Sequence, residues 1–66
     1  MPNRFFVATR LRRQAAMLLA QADAVYRLAR ECPDMSDRAR YFEVADRLVS
    51  EAAKLRQRAG RVERRS

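Results

Sequence analysis

Along residues 8–32, small and large apolar residues follow one another at spacings of three and four: Ala8, Leu11, Ala15, Leu18, Ala22, Val25, Ala29 and Cys32. Such spacing averages the 3.5-residue repeat of a helix that keeps one stripe against a neighbour. The pattern returns as Tyr41, Ala45, Leu48, Ala52, Leu55, Ala59 and Val62. A shift of 30 residues lays Leu11 on Tyr41, Ala15 on Ala45, Leu18 on Leu48, Ala22 on Ala52 and Ala29 on Ala59, so the seam is an internal repeat. Residues that break helices are confined to Pro2, Pro33 and Gly60. The pattern therefore predicts one domain of two helices, about 4–31 and about 35–60, with a turn at 32–34 and a basic tail at 61–66. A connection this short makes the helices antiparallel. Alanine at every seventh position lets the two backbones approach at the short end of the usual range of roughly 8–10 Å between axes. The expected fold class is all-α, an antiparallel two-helix hairpin with Ala/Leu heptad seams.

The corner itself is written in RECPDMSDR, residues 30–38. Pro33 has no N–H to donate and disfavours the α conformation at Cys32, which ends the first helix near Glu31. Asp34 is then suited to cap the second helix, with Ser36 as a rival and Asp37 close to the positive helix end. Asn3 is placed to cap the first helix, and Gly60 to mark the approach of the second helix's end. Cys32 continues the seam, where a cysteine acts as a small buried hydrophobe.

Beside the seam runs a second apolar row: Phe5, Leu19 and Tyr26 on the first helix, Phe42 and Val49 on the second. If the alanines close the hairpin on itself, this row stays open to water. A monomer seldom exposes such a patch. The expectation is a homodimer that covers the row and forms a four-helix bundle.

Charge adds polarity to this picture. Of a net +7, residues 1–22 and 52–66 together contribute +9, whereas residues 23–51 sum to −2. An antiparallel hairpin brings the two basic segments to one end, opposite the turn. Arg10, Arg13, Lys54, Arg56, Arg58, Arg61, Arg64 and Arg65 form the expected binding site for an anionic partner. Arginine's planar fork suits carboxylate and phosphate alike, so the candidates are an acidic protein surface or a nucleic-acid backbone. A peripheral membrane contact is a further candidate, because Phe5, Phe6 and Val7 lie next to Arg4 and Arg10. In the middle, Asp23–Arg27, Arg27–Glu31, Asp34–Arg38, Glu43–Arg47 and Arg47–Glu51 are spaced for pairing along a helix face.

Chemistry narrows the function by what is missing. The chain has no histidine, one cysteine and one glycine. It thus lacks an imidazole for acid–base work, a glycine-rich phosphate loop, an intrachain disulfide, and the donor set of a tetrahedral metal site. No catalytic residue, cofactor site, metal site or small-molecule substrate is expected. Tyr26, Tyr41 and Phe42 are placed for packing rather than for stacking on bases. The longest apolar run, Ala15–Ala20, is too short to span a bilayer, and MPNRFFVATRLRR reads as mature protein. A lone cysteine fits a reducing compartment, and the expected location is the cytoplasm.

With RLAREC, DRLVSEA and an Asp- and Pro-containing turn, the chain resembles short Ala- and Arg-rich helical-hairpin proteins of GC-rich bacteria, a group that implies a fold and no function. In architecture it is similar to the plasmid copy-control hairpin that dimerises and binds RNA, and that likeness implies a hairpin able to dimerise. The sequence thus leads to the expectation of a small, non-enzymatic, self-associating interaction or regulatory protein whose arginine pole binds an acidic protein partner, or alternatively nucleic acid.

Overall fold

The computed structural model describes residues 3–65 and consists of two helices, α1 (Arg4–Glu31) and α2 (Met35–Arg64). Pro2 and Ser66 lie outside the described residues. Both helix starts are capped as their sequences dictate. Asn3 Oδ1 accepts from the Phe5 N–H at 2.9 Å, and Asp34 Oδ1 accepts from the Asp37 N–H at 3.0 Å. Each bond satisfies one of the N–H groups that a first helical turn leaves without a partner. Cys32, at φ −74° and ψ 122°, takes the extended conformation that a following proline favours, and α1 stops there.

The two helices pack along the alanine seam. Ala8, Ala15, Ala22, Ala29, Ala45, Ala52 and Ala59 are buried to within 1% of complete. Of the larger seam residues, only Leu11 joins them, at 8% exposure. Leu18, Val25, Cys32, Leu48, Leu55 and Val62 are half-buried, and Tyr41, expected inside the seam, is 40% exposed. The cause is the closeness the alanines permit. When small residues meet at the centre of a helix contact, the residues three positions on are pushed beside the contact instead of between the helices. The hairpin is therefore a thin rod, 50 × 14 × 13 Å, with a Cα radius of gyration of 15.2 Å. A compact domain of this length has a radius of about 11 Å.

Three further expectations require correction. Gly60 does not end α2, which continues to Arg64 and leaves no separate tail at 61–64. The glycine has no positive φ, so nothing there calls for a left-handed terminus. The five intrahelical ion pairs do not form: among the described residues the ion pairs are Arg12–Glu63 and Lys54–Glu51. Exposed pairs gain too little to hold two long side chains together. Finally, the second apolar row is only partly open. The Tyr26 and Phe42 rings meet across the hairpin with centroids 5.9 Å apart, and both residues, like Leu19, are half-buried. Phe5 remains 69% and Val49 38% exposed.

Candidate anionic-partner interface

The turn and the opposite end of the rod are built very differently. At the turn, Arg38 donates to the Cys32 carbonyl from Nε at 3.1 Å and from Nη2 at 2.8 Å. The carbonyl lies at the negative end of α1, where a cation is favoured. The cysteine's Sγ is 3.7 Å from the Asp34 carbonyl. Arg38, Cys32 and the Asp34 cap thus all bond within the chain reversal. A little further along, the Tyr26 hydroxyl donates to Asp46 Oδ1 at 2.6 Å and links the two helices. That bond, then desolvation, then the charges of Asp46 and Asp23 raise the Tyr26 pKa above its ordinary 10.0.

At the open end, the first turns of α1 lie beside the last turns of α2. Arg10, Arg13, Lys54, Arg56, Arg58, Arg61, Arg64 and Arg65 are all exposed there. Lys54 Nζ bonds Glu51 at 3.2 Å along the same helix. Arg12 reaches across to Glu63, the single acid in the last turns of α2. This cross-hairpin pair escaped the sequence pattern, because residues 51 apart in the chain become neighbours only once the hairpin closes. Among the described residues the other arginines of the group have no carboxylate partner.

Five of these arginines line two open clefts. One, of about 630 Å³, is lined by Asn3, Phe5, Phe6, Thr9, Arg10 and Arg13. The other, of about 200 Å³, is lined by Arg58, Arg61, Val62 and Arg65. Phe5 and Phe6, 69% and 67% exposed, give the larger cleft two apolar rings beside its two guanidinium groups. Neither cleft contains a nucleophile with a base beside it. Among the described residues no three His, Cys, Asp or Glu side chains gather as a metal site would require. No helix there is long and apolar enough to cross a membrane. What the arrangement offers is forked hydrogen-bond donors for carboxylate or phosphate oxygens.

Fold and surface together define a small all-α helical hairpin with one strongly basic end. No protein family, curated protein or solved structure matches the chain.

Proposed function

We propose that this protein is a small self-associating interaction module whose arginine-rich end engages an acidic protein surface, with no catalytic role. The observation that carries the reading is the exposed arginine cluster at one end of a rod, in which Arg10, Arg13, Arg56, Arg58, Arg61, Arg64 and Arg65 have no carboxylate partner among the described residues. Like charges held this close repel one another unless an anionic surface meets them. Self-association into a four-helix bundle is the second part of the reading.

Nucleic acid is the alternative partner. The larger cleft favours it, since exposed Phe5 and Phe6 could stack on bases while Arg10 and Arg13 hold phosphates. Titration with a glutamate-rich peptide and with a single-stranded RNA oligonucleotide separates the two readings. An acidic protein partner requires peptide binding that falls by about tenfold or more in Arg58→Glu/Arg61→Glu and is unaffected by Phe5→Ala/Phe6→Ala, a charge-reversal loss in the range of interfacial charge pairs. RNA binding that depends on the phenylalanines selects the alternative. Absence of binding to either probe at low salt refutes both.

A further inference from the structure

Each alanine stripe has two flanks, and the hairpin treats them differently. Residues three positions after each buried alanine make one flank: Leu11, Leu18 and Val25 on α1, Leu48, Leu55 and Val62 on α2. At 100° per residue these fall on one side of the stripe, and residues four positions on fall on the other. Packing bears out the division. Leu11, Leu55 and Val62 belong to one cluster with Val7, whereas Arg12 pairs with Glu63 and the Tyr26 ring lies on Phe42 across the opposite flank. The second flank is interrupted by the charges of Arg12, Arg56 and Glu63 and closed in part by its own polar bonds. The first has no charged residue among its positions: Leu11 is buried there, and Leu18, Val25, Leu48, Leu55 and Val62 are half-buried. Leu28 and Val44 extend its edge, 53% and 44% exposed.

We infer that a second copy of this chain covers the Leu/Val flank, with the two hairpins running in opposite directions. This rests on the self-associating half of the function proposed above. Area is the first argument. The chain exposes 5414 Å². A folded monomer of its 7.7 kDa exposes about 4,300 Å². The excess, about 1,100 Å², exceeds the roughly 800 Å² per partner that a standard interface buries. The thin core is the second. Seven of the eight buried residues are alanines, each burying only a methyl-sized side chain, which leaves a deficit of apolar burial for a chain of this length. Half-buried Leu18, Val25, Leu48 and Leu55 are the reserve from which the deficit can be met.

Charge selects the orientation and the identity of the partner. A parallel pair would put two ends rich in arginine side by side. An antiparallel pair sets the net acidic region around the turn of each copy beside the basic end of the other. The chain is thus complementary to itself end to end, which no arbitrary apolar partner would be. The resulting bundle carries an arginine end at each pole, separated by about the 50 Å length of the rod, and is bivalent for its acidic partner.

Two measurements test this. Sedimentation equilibrium at micromolar concentration is expected to give twice the 7.7 kDa chain mass. Leu28→Glu/Val44→Glu is expected to raise the dissociation constant at least about 100-fold, by burying two charges from each copy in the interface, while Leu19→Glu/Val49→Glu leaves the mass unchanged. The second measurement leaves both flanks' large residues intact. A spin label on Ser36→Cys in a Cys32→Ser chain is expected to report a pair distance of about 40 Å, from opposite ends of arms that rise about 1.5 Å per residue. A monomer would overturn self-association and this inference together. A dimer dissociated by the Leu19/Val49 variant and not by the Leu28/Val44 variant would overturn the choice of flank alone. A label distance within about 20 Å, as between neighbouring parallel helices, would overturn the orientation.

Discussion

Arg38 shows how much a single side chain does at the corner. Its guanidinium donates twice to the Cys32 carbonyl, an acceptor that the end of α1 leaves without an intrahelical partner. Spacing along the helix had matched Arg38 with Asp34, but Asp34 is occupied as the cap of α2, and the carbonyl offers the arginine two bonds in one rigid geometry. Arg38→Ala is expected to cost about 1.5–2 kcal/mol, the lower part of the range for hydrogen bonds that involve a charged group. In a chain of this size that is a drop of roughly 5–15 °C in the thermal midpoint. Tyr26 is the other side chain with a measurable signature. Because its folded pKa lies above 10.0, the stability it contributes is fully present below about pH 10 and is lost as pH rises through the raised value. Thermal midpoints measured across this alkaline range should fall more steeply for the native chain than for Tyr26→Phe. Equal slopes would remove the phenol–carboxylate bond from the account.

At the scale of the helices, local chemistry was readable where it was redundant. Pro33, the extended Cys32 and the Asp34 cap all specify one corner, and α1 ends at Glu31 as they require. Gly60 stood alone as a stop signal and did not act as one. A single glycine costs a helix only about 1 kcal/mol, and the flanking residues Arg56–Ala59 and Arg61–Arg64 all sustain helical hydrogen bonding. A Cβ at this position would meet only the Arg64 side chain, at 3.6 Å, which is ordinary contact. Gly60→Ala should therefore stabilise the protein by about 0.5–1 kcal/mol, seen as a higher thermal midpoint with unchanged helicity at room temperature. A decrease would mean that the glycine is needed for an approach that this hairpin does not contain.

For the whole molecule, shape and charge are the governing features. A rod 50 Å long with arginines at one end and acids near the turn has a strong charge asymmetry, and a rod of two helices cannot enclose its large apolar residues. Stability should accordingly depend on concentration. The thermal midpoint is expected to rise by several degrees between about 1 and 100 µM chain as mass action favours the associated form. A midpoint independent of concentration would mark a self-sufficient hairpin. The basic end was legible from net charge by segment once the chain reversal was known. The division of that end into two clefts, and the pairing of Arg12 with Glu63, were not, because both depend on which turn of α1 stands beside which turn of α2.

The sequence alone determined two helices, their caps, their antiparallel sense and the alanine stripe that joins them, since each follows from contacts within a few residues or from strict periodicity. Only the tertiary structure decided how the larger residues divide. Heptad spacing marks Leu18, Val25, Leu48 and Leu55 as seam residues without stating how close the helices come. Alanine against alanine brings the backbones so near that only Leu11 among the larger seam residues is buried, while the rest are left along the flank. Distance between helices is a property of the packed pair, and it left a predicted core half-buried.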